Sequence, residues 1–334
     1  MSINTLPDIS IIDASNFEVM ALTVFRHQYE TNEVYRNYCN SLGKSIDNIY
    51  SPEQIPFLPI RFFKSHIVTS SGNWNPAVIF ESSGTTGSTP SRHFIKDLTI
   101  YEDSFRRSFE LAYGSPKNYC ILGLLPSYLE RQHSSLVYMT KVLMEDSGHK
   151  SNNFFLNDFE KLHQVITELE TSNQPTILIG VSYALLDFSE KFHMKLSSII
   201  VMETGGMKGK RAEISRTELH SILKSRFELE YIHSEYGMTE LLSQAYSKGD
   251  GIFTPAPTMK MVLREEDDPL SIIYNTNDAQ GKIGAINIID LANIHSCSFI
   301  ATEDFGKIYP NGNFEILGRI QDADIRGCGL MYEG

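Results

Sequence analysis

The order of apolar and polar positions along the chain predicts helices and strands in alternation. Apolar residues recur at helical spacing in four segments, 17–42, 97–113, 134–148 and 158–170. Short apolar runs typical of buried strands lie at 77–80, 119–125, 176–181, 197–202 and 228–233. Strands that alternate with helices in this way favour an α/β fold with a mostly parallel sheet.

The pattern changes after residue 250, where the apolar runs are shorter. Gly, Pro, Asn and Asp separate β-rich stretches at 259–263, 272–274, 284–289, 298–302 and 314–317. These stretches predict a small antiparallel β subdomain. We therefore expect an α/β core over 1–250, a β-rich subdomain of the same unit over 251–317, and a hinge-like motif with a short tail over 318–334.

Charge and composition narrow the class of partner. The 334 residues include 29 basic and 41 acidic ones, and the net charge of −12 argues against nucleic acid or an anionic membrane as the main partner. No apolar run approaches the length of a transmembrane segment, and the N-terminus lacks the pattern of a signal peptide. The four cysteines form neither a metal-site nor a disulfide pattern. We expect a cytoplasmic protein.

A stretch rich in Gly, Ser and Thr follows the predicted strand at 77–80. Glycine lets the backbone approach a ligand closely, and backbone N–H and hydroxyl groups can converge on phosphate oxygens. The alternative is a flexible linker, since such composition is common in loops. The order of residues matches neither a Walker loop nor G-x-G-x-x-G. The candidate phosphate-binding residues are Ser82, Ser83, Gly84, Thr85, Thr86 and Gly87.

Two further stretches place small or polar residues after a predicted strand. The strand at 197–202 leads into Thr204, Gly205 and Gly206, where bare backbone could lie against a flat nucleobase, although many strands end in such a turn. The second stretch is Ser-Glu-Tyr-Gly-Met-Thr-Glu at 234–240, and its alternative interpretation is a helix start.

Each polar residue of the second stretch has a candidate role. Tyr236, beside Gly237, could stack on adenine. Thr239 could donate to a phosphate, and Glu240 could hold Mg²⁺, which prefers oxygen ligands.

These stretches, together with Thr-Glu-Asp-Phe-Gly at 302–306 and Leu-Gly-Arg-Ile-Gln-Asp at 317–322, resemble the signatures of the adenylate-forming superfamily in their order and spacing. That superfamily includes acyl-CoA synthetases, luciferases and peptide-synthetase adenylation domains. The resemblance implies its large N-terminal-type domain, with a mixed parallel sheet and a small antiparallel β subdomain. It also implies that Asp304 binds the ribose hydroxyls and that Arg319 contacts the ribose or a phosphate.

The chain departs from the superfamily pattern in two places. Many members have Pro-Lys after the phosphate loop, but here Ser91 and Arg92 follow Pro90, so Arg92 becomes the candidate cation. Most members also continue for roughly a hundred residues, a typical small-domain size, in a mobile domain that carries a catalytic lysine. The sequence ends at Gly334, so we expect that domain to be largely absent.

The LuxE-type acyl-protein synthetases are a branch that is similar in more detail. The similarity covers 125–131, 134–136, 203–206 with Lys208, and 325–328. It implies that Cys328 accepts the acyl group as a thioester, which suits a thiolate attacking acyl-AMP. The alternative is a small buried cysteine. His133 could position the substrate carboxylate, although an isolated histidine is more often structural.

The resemblance implies ATP- and Mg²⁺-dependent activation of a carboxylic acid, expected to be a fatty acid. The acyl group would pass from acyl-adenylate to Cys328 and then to a partner reductase, acyltransferase or carrier protein. Two alternatives stay open. One is an ATP-independent acyltransferase that uses a carrier thioester, and the other is a non-catalytic subunit that binds a nucleotide or a partner.

Overall fold

The computed structural model describes residues 6–82, 89–125, 133–207, 209–266, 268, 270–273 and 280–320. Its helices are α1 (Phe17–Thr31), α2 (Glu33–Ser41), α3 (Phe62–Ser65), α4 (Leu98–Tyr113), α5 (Ser135–Ser147), α6 (Phe159–Thr171), α7 (Ser182–Lys191) and α8 (Arg216–Phe227). Short 3₁₀ turns lie at Ile9–Ile11, Pro52–Gln54 and Pro116–Asn118. No helix in these ranges is long and apolar enough to cross a membrane.

The strands follow the same chain order. They are β1 (Leu58–Pro59), β2 (Val78–Glu81), β3 (Arg92–Ile95), β4 (Cys120–Leu124), β5 (Asn153–Phe154), β6 (Thr176–Val181), β7 (Ile199–Thr204), β8 (His233–Tyr236), β9 (Ala245–Ser247), β10 (Ile252–Pro255), β11 (Met259–Arg264), β12 (Ile272–Ile273), β13 (Lys282–Asp290), β14 (Phe299–Ile308) and β15 (Phe314–Arg319).

One large mixed sheet contains all the described strands except β2 and β3, which form a separate antiparallel hairpin. Its order is β12-β11-β13-β14-β15-β10-β9-β8-β7-β6-β4-β5, with β1 beside β14. The pairs from β5 to β8 are parallel, whereas those from β8 to β12 are antiparallel. The predicted α/β class, with a mixed sheet and antiparallel strands after residue 250, is confirmed.

The parallel part of the sheet is covered on both faces. Alternate residues of each strand enter different cores, because successive side chains point to opposite faces. Leu122 and Leu178 pack with α6, α7 and α8, whereas Ile121 and Ile177 pack with α4 and α5. A third core joins α1 and α2 to the antiparallel strands around Phe299. Burial on both faces explains why these strands are continuous apolar runs.

Three boundaries differ from the sequence prediction. The helix expected over 17–42 is two helices, because the Asn32 side chain accepts a hydrogen bond from the Tyr35 N–H and caps α2. The strand expected at 228–233 begins only at His233, since Glu228 ends α8 in a left-handed conformation with φ +50°. Strand β14 extends to Ile308, so Asp304 lies within a strand and not after it.

A buried glutamine fixes α1 to the turn before β14. The Gln28 Nε2 group donates to the carbonyl oxygens of Asn293 (2.8 Å) and Ile294 (3.2 Å) and to the Ser298 hydroxyl (3.1 Å). Its Oε1 atom accepts from the Ser298 N–H at 2.9 Å. Gln28 is fully buried. If its side chain were removed, each of these groups would lose its hydrogen-bond partner and would have no access to water.

Replacing Gln28 with Ala should lower the free energy of unfolding by about 3 kcal/mol, because an unpaired buried polar group costs roughly 1–3 kcal/mol. Chemical denaturation monitored by circular dichroism measures the change. Gln164→Ala is the control, since Gln164 is exposed and its side chain donates to the exposed Glu168 side chain at 3.0 Å. Equal midpoints for the two variants would contradict this account of Gln28.

Candidate active site

The base of the candidate phosphate loop is closed by two hydrogen bonds. The Ser82 N–H donates to the Ser91 carbonyl oxygen at 3.0 Å, and the Ser91 N–H donates to the Ser82 hydroxyl at 2.8 Å. The hairpin of β2 and β3 therefore brings both ends of the loop together. Ser83, Gly84, Thr85, Thr86 and Gly87 lie outside the described residues.

Glu240 lies beside this loop base. Its side chain is 6% exposed. Burial raises its pKa, while a hydrogen bond from Ser91 and the charges of Lys64 and Arg319 act in the opposite direction. The structure thus places the Glu240 side chain in contact with Ser91 at the base of the loop. Lys64 is a nearby cation that no motif indicated.

The turn that carries Thr239 and Glu240 is held by groups from β13 and the turn after it. The Asn293 Nδ2 group donates to the Glu240 carbonyl oxygen at 2.8 Å. The buried Asp290 carboxylate accepts from the N–H groups of Leu242 (2.7 Å) and Ser243 (3.0 Å). The residues after Tyr236 form this turn and no helix, so the helix-start interpretation of residues 239–240 is wrong.

His93 on β3 connects the loop base to the same turn. Its Nδ1 atom lies 2.8 Å from the Thr239 carbonyl oxygen, and its Nε2 atom lies 3.0 Å from the Ser296 hydroxyl. A carbonyl oxygen only accepts, so Nδ1 carries the proton and Nε2 accepts from Ser296. Burial lowers the pKa of His93 to about 4. His93 is therefore a neutral structural link at pH 7.

The candidate ribose site contains Tyr236, Asp304 and Arg319. The Tyr236 hydroxyl donates to Asp304 Oδ2 at 2.8 Å. Asp304 on β14 lies directly opposite Arg319 on β15 in the sheet. Burial raises the pKa of Asp304, against the hydrogen bond from Tyr236 and the charge of Arg319. The Tyr236 ring packs against Phe253 and Phe314, with centroids 5.8 and 5.3 Å away.

The exposed Arg319 connects the two halves of the site. Its positive charge acts against the burial that raises the pKa of Asp304 and of Glu240, and its backbone lies directly opposite Asp304 in the sheet. The stretches at 82, 240, 304 and 319 therefore surround one region. This region lies at the carboxyl ends of β7 and β8, where ligands bind in open α/β sheets.

The residues after β7 offer an exposed backbone surface. Gly205 and Gly206 are exposed, and Gly205 has φ +67°, a conformation that favours glycine. The Ser182 hydroxyl donates to the Gly205 carbonyl oxygen at 3.0 Å. Thr204 is buried and donates to Glu235. Open glycine backbone suits the flat nucleobase that the motif predicted.

The remaining candidates occupy the edges of the site. Arg92 is half-buried, and its guanidinium carbon lies 5.7 Å from the Phe94 ring centroid. His133 is exposed, and its carbonyl oxygen accepts from the Glu81 N–H at 2.8 Å. Gly237 is also exposed. A Cβ atom added at Gly237 would lie 2.5 Å from Glu235 Oε1, so only glycine fits there without a shift of that carboxylate.

The cysteines divide into two groups. Cys328 lies outside the described residues. Burial raises the pKa of Cys39 and of Cys120 to about 12 and raises that of Cys297 further. These thiols therefore stay protonated at pH 7 and are poor nucleophiles.

A buried ion pair behind the site joins Glu203, which belongs to the stretch 203–206, to Arg216, which no motif indicated. Glu203 is 2% exposed and lies 3.1 Å from Arg216 Nε and 3.5 Å from His220 Nε2. Burial alone would raise its pKa, but the hydrogen bond from His220 and the charge of Arg216 hold it below its usual value. Arg216 also donates to the Ile316 carbonyl oxygen at 3.1 Å, which ties β7 to β15.

A metal ion would need oxygen atoms from a ligand. Among the described residues, no group of three or more His, Cys, Asp or Glu side chains could hold a metal by itself. The lone Glu240 carboxylate fits Mg²⁺ where phosphate oxygens and water complete the coordination.

Replacing His93 with Gln should lower the free energy of unfolding at pH 7.5 by about 1–3 kcal/mol, because one of two buried contacts is lost. The unfolded histidine binds a proton below its ordinary pKa of 6.5, but the folded one does so only below about 4. His93 therefore makes wild-type stability fall by up to about 1.4 kcal/mol per pH unit as pH drops through this window.

The difference between wild type and His93→Gln should consequently shrink from pH 6.5 to pH 4.5. Denaturant titrations at several pH values measure it, with His133→Gln as the exposed control. A difference that stays constant with pH would show that His93 does not titrate with the depressed pKa.

Comparisons with known proteins show the family of this chain. The family model described as "Acyl-protein synthetase, LuxE" matches residues 13–333. The long-chain-fatty-acid–luciferin-component ligase of Aliivibrio fischeri is 24% identical over 92% of this chain and 85% of its own length. The ligase of the same name from Photorhabdus luminescens is 38% identical over 20% of this chain and 58% of its own length.

Solved structures share the fold. ATP-bound MatB from Rhodopseudomonas palustris gives a TM-score of 0.52 at 17% identity over 75% of this chain. McyG A-PCP complexed with phenylalanyl-adenylate gives 0.52 at 16% identity over 84% of it. The chain spans about half the length of either solved structure, 50% in each case.

The predicted resemblance is thus confirmed for the family, for the fold and for the ligase class. Since the family model covers nearly the whole sequence, the chain belongs to the LuxE family of acyl-protein synthetases.

Proposed function

We propose that this protein activates a carboxylic acid with ATP and transfers the acyl group to a protein thiol. The observation that carries the proposal is that β8 and the turn after it contact both sides of the site: the Thr239 carbonyl oxygen lies 2.8 Å from His93 Nδ1 beside the loop base, and the Tyr236 hydroxyl lies 2.8 Å from Asp304 Oδ2. A nucleotide held there would have its ribose at Asp304 and its phosphates between Glu240 and the loop that begins at Ser82. ATP-bound MatB and the A. fischeri fatty-acid ligase support ATP and a fatty acid as substrates.

The first step is adenylation. The substrate carboxylate attacks the α-phosphorus, the bond to the β-phosphate breaks, and pyrophosphate leaves. Ser82 and the loop N–H groups, with Lys64, Arg92 and Arg319, would orient the phosphates and offset their charge. Mg²⁺ bound to Glu240 would supply further charge neutralisation when present. Thr239 is half-buried beside Glu240 and is our candidate donor to the α-phosphate.

The nucleoside would be held by the exposed backbone after β7 and by the ribose site. Adenine would lie against Gly205 and Gly206 beside Tyr236, and Asp304 would accept hydrogen bonds from the ribose hydroxyls. The bond between the Tyr236 hydroxyl and Asp304 orients that carboxylate. These assignments follow the predicted roles of Thr204, Gly205, Gly206, Tyr236, Gly237, Asp304 and Arg319.

The second step is acyl transfer. We propose that the Cys328 thiolate attacks the acyl-adenylate, forming a thioester and releasing AMP. The other three cysteines are buried with raised pKa values, which leaves Cys328 as the candidate nucleophile. A partner reductase, acyltransferase or carrier protein would then receive the acyl group. We place this chemistry in the cytoplasm, where thiols stay reduced.

Replacing Glu240 with Gln should reduce the rate of acid-dependent pyrophosphate–ATP exchange by about 100-fold, which is typical of losing one electrostatic group at a transition state. Exchange of labelled pyrophosphate into ATP, with Mg²⁺ and fatty acids of different chain length, measures the rate. Glu145→Gln is the matched control, because Glu145 is an exposed partner of Lys141. Absence of exchange with every acid in folded wild-type protein would contradict adenylation.

Replacing Cys328 with Ser should leave pyrophosphate exchange intact but abolish hydroxylamine-labile acyl labelling of the protein, because the thiol acts only after adenylation. Labelling with a radioactive fatty acid and ATP measures this. Cys120→Ala should still label, since Cys120 is buried in β4. Labelling of wild type from an acyl thioester without ATP would favour the acyltransferase alternative instead.

A further inference from the structure

Lys64 is an exposed lysine in α3 that belongs to none of the sequence motifs. Its positive charge acts on the buried Glu240 carboxyl group more strongly than that of Arg319 does. Within the part of the chain that the structure describes, no carboxylate forms an ion pair with Lys64. Its ammonium group is therefore available to a bound anion.

Packing fixes the backbone that carries Lys64. Strand β1 pairs in parallel with β14, which anchors the chain just before α3. Phe63 is fully buried, and its ring meets the His93 ring edge to face at a centroid distance of 5.5 Å. His93 in turn contacts the Thr239 carbonyl oxygen. The position of Lys64 is therefore set relative to the turn that carries Glu240.

Arg92, the cation that the sequence suggested, lies on the other face of β3. Successive side chains of a strand point to opposite faces, and exposure alternates along β3. The buried Ser91 and His93, which flank Arg92, face the turn after β8, where Ser91 hydrogen-bonds to Glu240. The Arg92 guanidinium carbon instead lies 5.7 Å from the ring centroid of Phe94, a residue farther from the loop. Arg92 therefore points away from Glu240.

We propose that Lys64, and not Arg92, is the catalytic cation of adenylation, and that its ammonium group contacts an oxygen of the β- or γ-phosphate of ATP. This assignment rests on the proposed function and deepens it. Lys64 lies on the side of Glu240, whereas the cations that act on Asp304 are Arg319 and Arg216. The contact is therefore expected with the phosphates that are remote from the ribose.

The charge of Lys64 assists the bond-breaking event of adenylation. As the carboxylate oxygen bonds to the α-phosphorus, the bond from that phosphorus to the bridging oxygen breaks, and its electron pair stays on the leaving pyrophosphate. A cation placed where this charge develops stabilises the transition state. Lys64 thus takes the place of the lysine that many superfamily members have after the phosphate loop, while Arg92 offsets phosphate charge only from a longer distance.

Binding of ATP and of AMP separates a phosphate contact from a structural role. Isothermal titration calorimetry compares wild type with Lys64→Met, which removes the charge but keeps most of the apolar stem. Lys64→Met should bind ATP about 10-fold more weakly, as expected for one lost hydrogen bond to a charged group. It should bind AMP as tightly as wild type does, because AMP lacks the β- and γ-phosphates. Lys64→Arg keeps the charge and should recover much of the ATP affinity.

Acid-dependent pyrophosphate–ATP exchange tests the catalytic role. Lys64→Met should lower the exchange rate about 100-fold, and the loss in Arg92→Met should be about 10-fold smaller or less. Lys195→Met is the matched control, because Lys195 is exposed and precedes β7, at the end of the strand opposite the site. Lys64→Met should melt at the wild-type temperature, because Lys64 is exposed.

Several results would overturn the assignment of Lys64. They are unchanged ATP affinity or exchange in Lys64→Met, equal losses of ATP and AMP affinity, a larger loss in Arg92→Met, or wild-type protein that binds no ATP. Exchange by wild type that persists in Lys64→Met would leave adenylation standing and reject only the role of this lysine. Wild type that binds ATP but supports no exchange would contradict adenylation, and the comparison of ATP with AMP would still decide whether Lys64 contacts the phosphates.

Discussion

The buried imidazole of His93 joins stretches of chain that lie far apart in the sequence. One ring nitrogen holds the Thr239 carbonyl and the other accepts from Ser296. Because β3 also closes the loop that begins at Ser82, this ring sets the position of that loop relative to Glu240. The ring is neutral in this role, because burial disfavours its charged form and lowers its pKa to about 4.

The same region concentrates carboxyl groups in places where water is excluded. Glu203 is compensated by Arg216 and His220, whereas Asp290 accepts hydrogen bonds from backbone N–H groups and the Ser243 hydroxyl. Isolated buried charges are costly. Each of these carboxyl groups therefore binds groups from other segments of the chain. Moving those segments apart would leave the buried carboxyl group without its partners, and this energetic cost keeps the segments in place.

The sheet explains how residues that are distant in the sequence meet at one candidate site. Parallel strands β7 and β8 end side by side, so the turns that follow them face the same space. The Tyr236 ring packs with Phe253 and Phe314 on the antiparallel side of the sheet. Glu235 and Tyr236, which are adjacent in β8, point to opposite faces of the sheet because successive side chains alternate.

The sequence by itself determined the α/β class, most of the helices and strands, and the motif residues at 82, 204, 240, 304 and 319, since these follow from local periodicity and from contiguous signatures. Only the tertiary structure decided that Lys64, His93, Asp290 and Arg216 support the site, because their partners are distant in the chain and their own neighbours form no motif. It also decided where α8 ends and β8 begins, because a left-handed residue at Glu228 is not encoded by periodicity.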